Sequence, residues 1–242
     1  MSSSDNAASC RWHSYSRTAE LEVAAVRAIL LAAKLAISQR GEFHIVLAGG
    51  NTPRRIYESL RLADAGWSAW HVYFGDERCL PPDHAGRNSR MAAQAWLDHV
   101  AIPLEQIHPI HAETGAEAAA ADYMQTLKGI EQFDLVLLGL GEDGHTASLF
   151  PNRDLGNMPD APAAMAIHDA PKPPPDRVSL SANRLGAARQ VMFLVTGETK
   201  RQAVKDWRNG TSIPAAAITP AGGVDIYLEA GLLAGTGGTQ TG

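Results

Sequence analysis

Apolar positions in this chain fall into two alternating kinds of run. Ala- and Leu-rich stretches broken by charges at helical spacing alternate with short, almost wholly apolar runs rich in strand formers. The first of the former, Ala19–Ser38, predicts a helix stopped by Arg40-Gly41. It carries Glu22, Arg27 and Lys34, so it reads as amphipathic rather than membrane-spanning. "FHIVLAGG" predicts a strand ending in two glycines, and "TPRRIYESL" a helix with Pro53 in its first turn. "WHVYFGDER" predicts a second strand running into a charged loop. Met91–His99 reads as helical, "QIHPI" as a short strand, and Gly115–Gly129 as an Ala-rich helix. Phe133–Leu138 is a further buried strand. Pro159 to Pro175 is too proline-dense for a helix and predicts a long surface loop of the sort that borders a site. "RVSLS" and "VMFLVTGE" predict strands, "TKRQAVKDWRNG" a helix closed by Asn-Gly, and "AAAIT" and "VDIYLE" the last elements. Residues 1–18 are expected to be flexible, 19–233 to form one domain, and the Gly/Thr-rich residues 234–242 to be disordered.

Strands that alternate with helices and are apolar on both faces predict a mainly parallel sheet covered on each side, a three-layer α/β/α fold. With 45% apolar residues among 242, the chain can bury a sizeable core. The net charge of -5 and the absence of any Lys/Arg run exclude a nucleic-acid groove, while leaving room for a small anion held by a few donors. Two cysteines, Cys10 and Cys79, do not make a disulfide framework, and the N-terminus lacks a basic segment followed by an apolar one. A soluble, cytoplasmic protein without membrane attachment is expected.

The chemistry concentrates where predicted strands end. "FDLVLLGLGEDGHTASLFP" contains G-x-G-x-x-G at Gly139, Gly141 and Gly144. A dinucleotide site would need a long helix next, yet Pro151 intervenes, and Asp160 lies among prolines rather than at a strand end. The alternative is that the glycines turn the backbone so that Asp143 and His145 project into a cleft. Imidazole is the group suited to moving protons near neutral pH, and a nearby acid orients or tunes it. The plain competing reading is an Asp-Gly turn with a capping residue. In "LAGGNTPRR", Gly49 and Gly50 permit close backbone approach and Asn51 or Thr52 caps a helix whose free N–H groups suit an anion; a tight turn without ligand is the competing reading. In "FGDERCLPPDHAGRNSRMA", Asp76 and Arg78 stand nearest the strand end and are the residues expected to face the cleft. His108 and His111, three apart on a strand, point to opposite faces and are set aside as metal ligands. G-x-S-x-G is absent, which argues against a nucleophile-elbow serine hydrolase.

Five segments in order, "LAGGNTPRRIYESL", "VYFGDERCLPPDHAGRNSRMA", "FDLVLLGLGEDGHTASLFP", "KPPPDRVSLSANRL" and "VMFLVTGETKRQAV", resemble the α/β form of the 6-phosphogluconolactonase family. The resemblance covers roughly residues 20 to 230 and is loose over "TPAGGVDIYLEAGLL". It implies the fold of sugar-phosphate isomerases and deaminases and hydrolysis of 6-phospho-D-glucono-1,5-lactone, with no metal or organic cofactor. It further implies His145 as base, Asp143 as its acid neighbour, Arg78 in the catalytic set, and a phosphate site at Gly49, Gly50, Asn51 and Thr52. Asp76 joins the binding set, and likeness to the related deaminases adds Arg177 and Lys200 as phosphate ligands. The implied partner is a sugar-phosphate lactone alone, with monomer and homodimer both open. Two rivals remain: an amino-sugar phosphate deaminase or isomerase on the same fold, which favours D-E-Y where this chain has "DER", and a non-catalytic sugar-phosphate sensor.

Overall fold

Strands whose side chains are apolar on both faces need cover on both faces, and this requirement shapes the molecule. The computed structural model describes residues 9–234. Its strands are β1 (Cys10–Tyr15), β2 (Phe43–Leu47), β3 (Trp70–Phe74), β4 (Asp76–Arg78), β5 (Ile107–His108), β6 (Phe133–Gly139), β7 (Ala164–Ile167), β8 (Arg177–Leu180), β9 (Ala188–Val195) and β10 (Val224–Glu229). Its helices are α1 (Thr18–Arg40), α2 (Asn51–Leu60), α3 (Asn88–Ala95), α4 (Ala116–Thr126), α5 (Ala182–Gly186) and α6 (Arg201–Arg208). Seven strands form one sheet in the order β1-β10-β9-β6-β2-β3-β5, every neighbouring pair parallel. Every residue of β2 is buried, as is β6 up to Leu138. The helices supply the outer layers of the α/β/α arrangement. In α1 the residues Leu21, Ala25, Ile29, Ala33 and Ala36 recur every three or four positions and form its buried stripe. Gly41, at φ 86°, ends this helix with its N–H on the Ile37 carbonyl.

A second, three-stranded antiparallel sheet, β4-β8-β7, grows from the end of β3. It accounts for two departures from the sequence reading. "RVSLS" is a strand, but of this small sheet, and the Pro-rich stretch expected to be loop contains β7 at Ala164–Ile167. Four residues between prolines were too short a run to register as an element. The N-terminal segment is a further correction: β1 lies inside the part expected to be flexible. Its "CRWHSY" has the alternation of an edge strand, and Arg11 reaches Asp225 with both Nε and Nη2 at 2.8 Å while His13 Nε2 lies 2.8 Å from the same carboxylate. "AAAIT" falls in and after a single 3₁₀ turn, Pro214–Ala217, and α3 starts at Asn88, three residues before the expected Met91. The tail, expected to be disordered, lies outside the described residues from 235 onward.

Candidate active site

Chain order reverses in the sheet between β2 and β6: β2 leads outward to β3, and β6 leads the other way to β9 and β10. Open parallel sheets form a crevice beyond the carboxyl ends of the strands at such a point. Here it is a cleft of about 500 Å³, reached by the ends of β2, β3, β6 and β9. Gly49, Gly50, Asn51, Thr52, Asp76, Arg78, His145, Arg177 and Lys200 all line it. Asp143 alone of the sequence-derived set stands outside the lining, behind His145.

His145 is held by its own turn. The Gly141 N–H donates to the His145 carbonyl at 2.7 Å, and Thr146 Oγ1 donates to the Gly139 carbonyl at 2.9 Å. The imidazole lies directly over Gly141, where a Cβ would fall 2.0 Å from His145 Nδ1, so only glycine leaves room for the ring. Phe150 supports it, with ring centroids 4.9 Å apart. Nδ1 sits 2.5 Å from Asp143 Oδ1, which also accepts the His145 backbone N–H at 3.2 Å. Burial pulls the His145 pKa below its ordinary value, and the hydrogen bond and charge of Asp143 oppose this without reversing it. Burial acts to raise the Asp143 carboxyl, but its bonds to His145 prevail and hold it below the usual range. The lowered pKa favours the neutral ring, and with Nδ1 placed beside a carboxylate the N–H is assigned to Nδ1, which leaves Nε2 to act. No helix follows this turn before α5, which removes the dinucleotide reading.

The floor is a braced polar network. Asn88 Nδ2 donates to the Asp76 carbonyl and to Asp76 Oδ1, each at 2.9 Å, and Ser148 Oγ donates to Asp76 Oδ2 at 2.6 Å. Asp76 therefore ties β4 to the start of α3 and to the loop after His145, with both carboxylate oxygens engaged. Asn88 packs so closely on Gly49 that a Cβ there would lie 2.0 Å from Asn88 Oδ1. Glu77, wholly buried, accepts from the backbone N–H groups of Arg78, Asn88 and Ser89 and serves the loop rather than the cleft. Arg78 is anchored by Nη1 on the Gly86 carbonyl at 2.5 Å. Thr52 Oγ1 meets Thr196 Oγ1 at 2.6 Å, joining the first turn of α2 to the end of β9.

Positive charge enters from three directions. Arg78, Lys172, Arg177 and Lys200 all line the cleft, against the one carboxylate of Asp76. Arg177 gives most of its donors to the Pro-rich loop: Nε to the Pro174 carbonyl at 3.1 Å, Nη2 to those of Lys172 and Pro173 at 2.7 and 3.1 Å. Its Nη1 lies 3.4 Å from Ser148 Oγ. Burial lowers the Lys200 pKa, with Glu142 and Asp143 opposing and Lys172 reinforcing. The two ammonium groups thus line one cleft and repel one another, a repulsion that an anion bound there would relieve.

A family model described as "Glucosamine-6-phosphate isomerases/6-phosphogluconolactonase" matches residues 16–227. The chain belongs to that family. A 6-phosphogluconolactonase of Synechocystis sp. is 38% identical over 207 residues, covering 80% of this chain and 85% of the relative. A protein named "Probable 6-phosphogluconolactonase 4, chloroplastic" from Oryza sativa subsp. indica is 38% identical over 192 residues. That match covers 72% of this chain, and the chain spans only 59% of the rice protein's length. Among solved structures, the 6-phosphogluconolactonase from Trypanosoma cruzi superposes with a TM-score of 0.82 at 26% identity, covering 93% of this chain and 96% of that one.

Within this glucosamine-6-phosphate isomerase/6-phosphogluconolactonase fold, three cleft or near-cleft residues escaped the sequence reading. Lys172 opens "KPPPDRVSL", a segment from which only Arg177 was taken; its signal was a lone cation in a loop bordering a site. Asn88 was one polar residue in a crowded loop, and Ser148 carried no signal, because its partner Asp76 is 72 residues away. His108 and His111 do not converge: His108 stacks on Tyr73, while His111 Nδ1 lies 3.2 Å from Asp122.

Proposed function

We propose that this protein hydrolyses 6-phospho-D-glucono-1,5-lactone to 6-phosphogluconate, in the cytoplasm. The observation that carries the reading is one cleft in which an Asp-braced, neutral imidazole faces four cationic side chains. His145 Nε2 takes a proton from water, and the water oxygen attacks the lactone carbonyl carbon. Charge develops on the carbonyl oxygen. The Gly141 and Gly144 N–H groups are already bonded within their turn, so Arg78 is the donor assigned to that oxyanion. On collapse the bond from the carbonyl carbon to the ring oxygen breaks, and the imidazolium returns its proton to that oxygen. Lys172, Lys200 and the amino end of α2 bind the phosphate, which fixes the ring over His145 and removes its rotational freedom. Arg177 and Asp76 hold these groups in place. A positioned base contributes about 10²–10⁴-fold and one oxyanion contact about 10²–10³-fold, enough for an ester that also opens unaided.

The test generates the lactone in situ at mildly acidic pH, where spontaneous opening is slow, and follows 6-phosphogluconate with and without the protein. A rate equal to the uncatalysed one refutes the proposal. Ammonia release from glucosamine 6-phosphate in a parallel assay would assign the cleft to the deaminase branch of the family.

A further inference from the structure

At the other end of the same strands, away from the cleft, the structure gathers histidines that the mechanism does not use. His44 and His71 are directly opposite one another in the β2–β3 register, so their side chains leave the same face of the sheet. Glu42, the residue before β2, reaches both: Oε1 lies 3.0 Å from His44 Nε2, and Oε2 lies 3.6 Å from His71 Nε2. All three ligand atoms fall within 4.8 Å of one another. A tetrahedral zinc ion with bonds of about 2.0–2.1 Å holds its ligand atoms about 3.3 Å apart, so the carboxylate, whose two oxygens each already reach one ring, and the two imidazoles need only draw together around it.

The surroundings hold the His44 ring as a ligand ring is held, and hold His71 by stacking. His44 Nδ1 lies 3.2 Å from the Tyr73 hydroxyl, which fixes the ring with Nε2 turned toward Glu42. The His44 backbone N–H is pinned on Asp134 Oδ2 at 2.8 Å. His71 is stacked between His44, at 4.7 Å, and His108, at 5.8 Å, with interplanar angles of 13° and 7°. Gln106 Nε2 lies 2.9 Å from His71 Nε2, while its Oε1 is buried without a partner. Turning that amide over brings an oxygen to the same nitrogen's side. Glu42 is exposed, which leaves an entry path and a place for water.

We infer that Glu42, His44 and His71 form a binding site for a zinc-class divalent ion, distinct from the catalytic cleft. Two imidazoles and a carboxylate suit zinc, cobalt or nickel in preference to magnesium or calcium. Lying at the amino ends of β2 and β3, the ion ties two strands of the sheet together and is remote from the lactone. This inference is independent of the proposed reaction.

Titration calorimetry of the chelator-treated full chain with zinc chloride tests it, alongside the visible spectrum with cobalt. One zinc per chain is expected, with micromolar or tighter affinity, a rise in Tm and a tetrahedral cobalt spectrum. Glu42→Gln and His71→Ala should each weaken zinc binding about 10-fold or more, while His145→Ala leaves it unchanged. Binding no tighter than about 1 mM, or zinc affinity indifferent to Glu42→Gln, overturns the site and leaves a carboxylate–histidine ion pair in its place. Zinc affinity lost in His145→Ala assigns the ion to the cleft and overturns the site equally. Should His71→Ala fail to fold, Glu42→Gln decides alone, since it changes an exposed side chain without changing its size.

Discussion

The imidazole of His145 receives opposed instructions from its surroundings: burial disfavours its charge, and Asp143 favours it. Burial prevails, so the ring's pKa lies below the ordinary 6.5 and the base form dominates at neutral pH. The acid limb of the kcat/KM profile should therefore fall below pH 6.5, because the protonated ring is not a base. Asp143→Asn removes an influence that raises the pKa, so the limb should move to still lower pH while the plateau drops; a pH series on both proteins checks the sign. His145→Ala should lower kcat by about 10²–10⁴-fold with KM near wild type, measured in the lactone assay. Gly141→Ala tests the geometry without touching any reacting group. Its methyl must displace the ring, and a misplacement of about 1 Å costs on the order of 10²-fold in kcat. Near-wild-type turnover in that variant would show that the ring does not need its seat. At this scale the sequence revealed which glycines, acids and histidine occupy the turn, but not that Gly141 is the surface on which the ring rests, a relation that exists only after the turn has formed.

Among the elements, the Pro-rich loop divides labour between two cations. Lys172 projects from it into the cleft, and Arg177, at the start of β8, grips its carbonyls. Lys172→Ala should raise KM by about 10-fold or more and leave Tm unchanged, since a hydrogen bond to a charged group contributes about 1.5–3 kcal/mol. Arg177→Ala should raise KM too, but with a lower Tm, because the carbonyls it serves lose their donor; thermal unfolding beside steady-state kinetics separates the two. Deleting residues 1–16 removes β1 and bares β10, and the truncated chain should aggregate or unfold at lower temperature than the full one. The long apolar strands and the Ala-rich helices were legible from their pattern alone. β1 and β7 were not: one is a polar-studded edge, the other four residues among prolines, and each is a strand because of its neighbour rather than its composition.

For the molecule as a whole, a chain of net charge -5 keeps four cationic side chains at one cleft. Such a site owes part of its affinity to charge at partly open distances, which salt screens. KM for the phosphorylated lactone should rise with ionic strength while kcat stays level, and an unphosphorylated δ-lactone should show no such rise. The three-layer fold and its parallel sheet followed from apolar alternation, and the meeting of three loops followed from their shared place at strand ends. The small antiparallel sheet did not, because β4 lies more than 80 residues before the two strands it joins and carries no signal in common with them. The pairing of β1 with β10 has a consequence for synthesis. Arg11 and its partner Asp225 are 214 residues apart. At about 5–20 residues per second, β1 waits roughly 10–40 s during synthesis for β10. During that interval the nascent chain carries an unclaimed strand, and the pace of translation across the whole intervening stretch governs how long it does so.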